Sequence, residues 1–255
     1  MALIEFQTVL GRMLREQKSE THLRGVSLDE REQHYFENLR DTAEFRFYAS
    51  VQRSWCLARA AKGASLTLSL LPQEKRERLL DEWVDSGAGA ASFHNVEAEL
   101  FLDFIGKQLP NPSHELTVCQ FERATLRANN GASHFVAPDA SALQDPDCVL
   151  RRGRYAALVS FYTGLDRLFN AVQNHEPLPD SPVMLVLFSP GLPRLCAEPS
   201  PAEVSVWETL EAPVSIKTLL DQGHSLTMLE GLFSHGAIES MDHVYGPEIQ
   251  ESVDG

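Results

Sequence analysis

The segment SPVMLVLFSPG, residues 181–191, is a compact apolar run that lies between proline and glycine residues. Six consecutive apolar residues, from Val183 to Phe188, are too few for a typical buried helix. A short apolar run with such boundaries is typical of a β-strand. This strand is the clearest one in the chain, and it predicts that the C-terminal part contains a sheet.

The flanking segments predict a second strand and several short helices. In RRGRYAALVSF, residues 151–161, apolar residues alternate, which indicates a strand with Tyr155 and Phe161 on one face. GLDRLFNAVQNH (164–175) predicts a short helix between the strands. Ser200-Pro-Ala-Glu203 predicts a capping box that starts the first of three further helices. Residues 151–245 therefore predict a small α+β, winged-helix-like domain.

SLTMLEGLFSHGAIES, residues 225–240, is typical of the last helix of such a domain. Leu226, Leu229, Leu232 and Phe233 lie at helical spacing, and Gly236 follows where the helix should end. The segment contains no lysine or arginine, although helices of this type often bind DNA.

Residues 1–130 predict an N-terminal helical bundle. Asp41 is expected to cap a helix that ends at Gly63, and Ser113 is expected to cap the last helix of the bundle. Residues 131–150 predict a linker or loop, and 246–255 an acidic tail. Two predicted apolar faces belong to the bundle: Phe6, Leu10, Met13 and Leu14 on the first helix, and Phe47, Val51, Trp55 and Ala58 on the second.

The net charge of −14 is unevenly distributed along the 255 residues. Residues 202–255 contain ten acidic residues and one base (−9), whereas residues 1–65 contain ten bases and nine acids (+1). Because nucleic-acid affinity depends largely on Lys and Arg, the acidic C-terminal part argues against DNA or RNA as a ligand. An anionic membrane surface is disfavoured for the same reason, and no apolar run has the length of a membrane span.

The four cysteines predict a reduced, cytoplasmic protein, because they lie far apart and form no C-x-x-C pair. Cys56, Cys119 and Cys196 have apolar neighbours and are expected to be buried thiols, whereas Cys148 is expected in an exposed loop.

The strand at 183–188 is a candidate peptide-binding site if it lies at a sheet edge, where an extended peptide can add as a strand. Arg151, Arg152 and Arg154 could then meet acidic residues of the peptide. The alternative is that both strands are internal. The candidate contacts also include Leu185, Val186, Leu187, Phe188, Leu229 and Phe233, of which the last two fit a core better than a pocket.

A second hypothesis is a di-iron oxidase, in which histidines and carboxylates project inward from a helical bundle. The candidate ligands are His34, Glu37, Glu44, His94, Glu97 and Glu122. The His-x-x-Glu order is the reverse of the usual Glu-x-x-His motif, so solvated helix faces are the competing interpretation. Gly-x-Ser-x-Gly, H-E-x-x-H and a phosphate-binding glycine loop are absent from the sequence. His224, His235 and His243 have spacings that fit no ligand rule.

Four blocks, in their order along the chain, resemble the HvfC-like family and within it the methanobactin-biosynthesis accessory proteins of the MbnC type. The resemblance extends from about residue 75 to 240, and none of the blocks is a catalytic signature. The blocks are LLDEWVDSG, ELFLDFIGKQLPNPSHELTVCQFERATLRA, LRRGRYAALVSF and LVLFSPGLPRL.

The resemblance implies a non-catalytic accessory subunit that forms a heterodimer with an iron-dependent TIM-barrel oxygenase. Such a complex binds the leader of a ribosomally made precursor peptide, and the partner oxidises a peptide cysteine to an oxazolone with an adjacent thioamide. The iron is expected in the partner, and the resemblance assigns no metal ligand, cofactor or catalytic residue to this chain.

Overall fold

The structure, a computed structural model, describes residues 3–15, 28–86, 88 and 94–241, but not the side chains of Leu3, Arg15 and His94. The chain divides into two compact units between Lys107 and Gln108. The boundary therefore precedes the last predicted helix of the bundle. The predicted acidic tail, 246–255, lies outside the described residues.

The N-terminal unit contains six helices in its described part. Helix α3 contacts each of the other five, so it is the central helix of the unit. The helices are α1 (Leu3–Arg15), α2 (Glu30–Asp41), α3 (Ala43–Gly63), α4 (Ser65–Leu70), α5 (Gln73–Asp85) and α6 (His94–Gly106).

Side-chain caps determine where α2 and α3 begin. Thr42, rather than the predicted Asp41, caps α3, because its side-chain oxygen accepts a hydrogen bond from the Phe45 N–H. Asp29 and Glu32 form a capping box at α2 that the sequence analysis did not predict. The predicted stripe on α1 is confirmed, since Met13 is buried and Phe6, Leu10 and Leu14 pack against the same small core.

The predicted orientation of α3 is wrong. Phe47 and Trp55 are each 65% exposed, and Val51 and Ala58 are exposed as well. The buried side of the helix instead contains Phe45, Arg53, Cys56 and Ala60. Arg53 can be buried because carboxylates on α5 bind its guanidinium group.

The C-terminal unit contains two small antiparallel sheets and five helices in its described part. One sheet has the order β5-β1-β6 and the other the order β2-β3-β4. The elements are α7 (His114–Ala132), β1 (Val149–Arg152), β2 (Ala157–Phe161), α8 (Leu168–Gln173), β3 (Met184–Phe188), β4 (Cys196–Ala197), α9 (Pro201–Thr209), β5 (Val214–Ser215), α10 (Ile216–Asp221), α11 (Leu226–Ser234) and β6 (Ile238–Ser240), with 3₁₀ turns at Ala140–Gln144 and Pro193–Leu195.

Helix α7 belongs to this unit because it packs on the β2-β3-β4 sheet. The ring of Phe121 meets those of Phe161 and Phe188 edge-on, with centroid distances of 6.1 and 5.8 Å. The Thr117 hydroxyl also donates a hydrogen bond to the Ser160 carbonyl at 3.3 Å. The helix, predicted as the last of the bundle, thus covers one face of a sheet.

A single apolar core joins β1, β3, β6 and helices α9 to α11. Leu143 and Cys148, which lie in the predicted linker, are buried in this core. The prediction that Cys148 is exposed is therefore wrong. All four cysteines are reduced, and Cys196 is half-buried.

The predicted strand at 151–161 is two strands in different sheets. The chain turns at Gly153, whose N–H donates to the Ala237 carbonyl at 2.8 Å. A Cβ atom at this position would collide with the Gly236 carbonyl oxygen, so only glycine allows this approach. The turn separates β1 from β2.

The start and end of the C-terminal helices agree with their sequence signals. Ser200 and Glu203 form the predicted capping box at α9. After α11, Gly236 has φ 72°, and the Gly236 and Ala237 N–H groups donate back to Phe233 and Leu232. Among the helices that the structure describes, none is long and apolar enough to cross a membrane.

Candidate functional site

Strand β3 is the central strand of its sheet, which corrects the interpretation of 183–188 as a sheet edge. Along its whole length it pairs with β2, from Phe188 opposite Ala157 to Met184 opposite Phe161. On the other side, β4 pairs with only Leu187 and Phe188. The first three residues of β3 consequently have no strand beside them on the β4 side, in the part of the chain that the structure describes. We call this segment, Met184–Val186, the open side of β3.

The geometry of the ladder identifies the backbone groups at the open side. The Ser189 N–H donates to the Leu195 carbonyl at 3.0 Å, so Ser189 points towards the β4 side. Because alternate residues of an antiparallel ladder point the same way, Leu187 and Leu185 also point there. In the register of β4, residue 199 would lie opposite Leu185, and it is a proline without an N–H. Pro199 could therefore donate no hydrogen bond to the Leu185 carbonyl, and because β4 already ends at Ala197, neither the N–H nor the C=O of Leu185 has a ladder partner from β4.

Only part of the predicted apolar site reaches the surface. Val186, Leu187 and Phe188 are buried, whereas Leu185 is half-buried. Val183, just before the strand, is 62% exposed. An incoming chain could thus contact the side chains of Val183 and Leu185 and the backbone of Leu185.

Arg151 lies on β1, which belongs to the other sheet, and Arg154 lies in the turn after β1, so neither residue is on a strand that pairs with β3. The Arg151 Nη2 atom lies 2.7 Å from Glu239 Oε1 on β6, and the Arg154 N–H donates to Glu239 Oε2 at 3.2 Å. The Arg154 guanidinium also stacks over the Tyr155 ring at 5.0 Å. These contacts stabilise the β1-β6 pair, so the residues have a structural role within the unit.

Arg152 is likewise anchored inside the unit. Its Nε atom donates to the Trp207 carbonyl at 2.8 Å, and its guanidinium carbon lies 5.1 Å from the centre of the indole ring. The cation–π contact and the hydrogen bond fix α9 against β1. The predicted basic segment is thus used largely for internal contacts.

Leu229 and Phe233 are fully buried in the core of the C-terminal unit. Neither side chain offers a surface to a ligand, so their assignment to a peptide-binding site is wrong. Of the two interpretations of these residues, core packing is the correct one.

The described di-iron candidates do not converge. His34, Glu37 and Glu44 are exposed, and Glu122 lies on α7 in the other unit. Glu97 is buried, with its Oε2 atom 2.8 Å from Arg59 Nη2 on α3. The side chain of His94 lies outside the described residues, as does His243. Within the described part of the chain, no three His, Cys, Asp or Glu residues are close enough to hold one metal ion.

A cavity of about 220 Å³ lies at the start of α7, and no sequence pattern predicts it. Its wall includes His114, the first residue of the helix, and His175, which follows α8. The predicted N-cap at Ser113 is confirmed, since its hydroxyl accepts from the Leu116 N–H at 3.0 Å. A histidine directly after that cap was the available signal, but its burial depends on contacts with α8.

Comparison with protein-family models, with curated proteins and with solved structures gave no match to this chain.

Proposed function

We propose that the chain is a non-catalytic accessory subunit that binds an extended peptide at the open side of β3. A peptide strand placed there would continue the short β4 along β3. It would exchange two hydrogen bonds with the Leu185 backbone, and its side chains would pack on Val183 and Leu185. The single observation that carries this proposal is that, among the residues that the structure describes, no strand pairs with Leu185 on the β4 side.

The C-terminal unit fits a winged-helix-like domain adapted to a peptide. Its chain order α9-β5-α10-α11-β6 places two short consecutive helices between strands of a small sheet. The last helix has no basic residue, so its charge suits a peptide better than a phosphate backbone. The Gly191 N–H donates to the His235 carbonyl at 2.9 Å, which links the end of β3 to the end of α11.

The identity of the peptide and of the enzyme follows from the resemblance to the HvfC-like family alone. On that basis the partner is an iron-dependent TIM-barrel oxygenase, the ligand is the leader of a ribosomally made precursor, and the products are oxazolone and thioamide groups. The proposal places the complex in the cytoplasm and the iron in the partner.

Peptide capture can be tested with fluorescent peptides selected on the wild-type chain from a displayed random decapeptide library. We expect Leu185→Pro to weaken binding at least about tenfold, because it removes the N–H that an added strand needs while leaving the hydrogen bonds to β2. Val136→Lys, at an exposed apolar residue of the same unit, is the matched control and should bind normally. Equal affinity of the two variants would refute the site.

The competing di-iron hypothesis has a separate test, which is elemental analysis of the chain purified by itself without chelator. About two irons per chain, lost on changing His94 or Glu97, would make this chain the enzyme and overturn the proposal. Without stoichiometric metal, the next experiment is co-expression with candidate iron oxygenases.

A further inference from the structure

The outward face of α3 is an apolar surface of the N-terminal unit that the proposed peptide site does not use. Phe47, Tyr48 and Trp55 are each 65% exposed, and Val51 is 42% exposed. The rings of Phe47 and Tyr48 meet edge-on, with their centroids 6.0 Å apart. A continuous exposed patch of large apolar side chains is typical of a protein–protein interface.

The exposed residues of α3 follow the spacing of a coiled-coil seam. In such a seam the contacting residues are separated alternately by four and three positions, so they form one stripe along the helix. Every residue at this spacing along α3 is exposed, and the stripe therefore lies opposite the side of the helix that packs on the rest of the unit. The residues are Glu44, Tyr48, Val51, Trp55, Ala58 and Lys62, and we call them the α3 seam.

The two ends of the α3 seam carry opposite charges. Glu44 lies in the first turn of the helix and Lys62 in the last turn, and the four seam residues between them are uncharged. A parallel pair of identical seams would therefore bring like charges together at both ends. An antiparallel pair places the Glu44 carboxylate beside the Lys62 ammonium group of the second copy, and it also sets the two helix dipoles in opposite directions.

The sizes of the seam residues fit the same antiparallel arrangement. When two identical seams run in opposite directions, each residue lies opposite the one at the same distance from the other end. Tyr48 then faces Ala58 of the second copy, and Trp55 faces Val51, so a large side chain meets a smaller one in every apolar layer. A parallel pair would instead place Trp55 against Trp55 and Ala58 against Ala58.

The area of the patch agrees with a weak dimer. An aromatic side chain presents about 150–250 Å², so the exposed parts of the three rings amount to roughly 300–500 Å² per chain. With the flanking side chains, two copies would bury about 1,000–1,200 Å² in total, which is the size of weak, transient interfaces. We expect the dimer to dissociate at low protein concentration, where unfolding measurements report on the monomer.

We propose that α3 is the dimerisation surface of this protein, and that two copies pair their α3 seams in antiparallel orientation about a two-fold axis. The pairing covers the aromatic face that the fold of one chain leaves exposed to water. This inference is independent of the peptide-binding role of β3, since it rests on residues of the other unit.

The test is sedimentation equilibrium of the full chain at protein concentrations from about 1 to 200 µM. The average mass should rise with concentration from the 28.4 kDa of one chain towards twice this value. Trp55→Glu should weaken the dimer at least about hundredfold, because each dimer contains the residue twice. Ser50→Glu, at an exposed position of α3 outside the seam, is the matched control and should associate like the wild type. A wild-type chain that stays monomeric at the highest concentration would overturn the proposal.

Reversal of the end charges tests the antiparallel orientation. Glu44→Lys and Lys62→Glu should each weaken the dimer about three- to tenfold, because each creates a like-charge contact at both ends of the pair. The double variant restores opposite charges and should recover the wild-type affinity. Misfolding could not be reversed in this way, so recovery excludes an effect on folding. Unchanged affinity in both single variants, or no recovery in the double variant, would refute the antiparallel seam.

Discussion

Helices α3 and α11 each have a predicted apolar face in the sequence. This face is largely buried on α11 but exposed on α3. On α11 Leu229, Leu232 and Phe233 face a core of apolar side chains, as the pattern predicts, whereas Leu226 at the start of the helix is exposed. On α3 the aromatic residues Phe47, Tyr48 and Trp55 face outward, while Arg53 lies inside. The comparison shows that periodicity identifies two faces of a helix but that neighbouring elements decide which face is buried.

The partners of Arg53 explain the difference. Its Nη1 and Nη2 atoms lie 2.6 Å from Asp85 Oδ1 and 2.5 Å from Asp81 Oδ1 on α5. Burial would lower the pKa of Arg53, but the hydrogen bonds with Asp81 and Asp85 raise it, and the net effect is an increase. A paired arginine can thus be buried where a single charge could not.

The largest effect is expected from Phe233→Ala in the core next to α11. Because Phe233 is fully buried, its loss leaves a cavity and should lower the free energy of unfolding by about 3–5 kcal/mol. Denaturant titration monitored by circular dichroism measures this change. Leu226→Ala, at an exposed position of the same helix, is the control, and a similar loss there would contradict the assigned core.

Arg53→Ala should have the next largest effect, a loss of about 2–3 kcal/mol, since it removes two hydrogen bonds between charged groups and leaves Asp85 partly buried. Because the pKa of Arg53 is higher in the folded protein than its ordinary value, the stability that its charge contributes is fully present at neutral pH. This stability is lost only as the pH rises into strong alkali. The loss caused by the substitution should therefore be the same at pH 6 and pH 9. Asp81→Asn, at a more exposed partner, should cost less.

A smaller effect of the opposite sign is expected for His175→Gly. Glycine relieves the left-handed backbone at φ 51°, so the unfolding free energy should rise by about 1 kcal/mol. Gly223→Ala is the matched control. It has open space around it but φ 89°, so it should destabilise the protein by a similar amount. His175 is exposed, so its side chain is not expected to contribute to packing. A lower unfolding free energy for His175→Gly would contradict this expectation.

The smallest effect tests the outward face of α3. Trp55→Ser should change the stability of the isolated chain by less than about 0.5 kcal/mol, because the indole is mostly exposed. Phe45→Ser on the same helix should cost several times more, since Phe45 is buried in the core with α1 and α2. Equal losses at the two positions would instead support the orientation predicted from the sequence, in which Trp55 is on the buried face of the helix.

The candidate site was only partly predictable. The strand at 183–188 was found from its composition, but its central position depends on pairing with residues 157–161 and 196–197, which are distant in sequence. The short length of β4, which leaves Leu185 without a neighbouring strand on that side, cannot be predicted from the sequence of β3. For the same reason the cavity at His114 was missed, because its walls come from helices separated by two strands.

The sequence by itself determined the local features: the strand at 184–188, the caps at Ser113 and Ser200, the end of α11 at Gly236 and the acidic character of the C-terminal part. These depend on the residues themselves and on neighbours a few positions away. Only the tertiary structure decided that α7 joins the sheet, that α3 turns its aromatic face outward and that the arginines of β1 bind Glu239 and Trp207. Each of these outcomes depends on contacts between residues that are far apart in sequence, because such a contact must be more favourable than exposure of the same side chain to water.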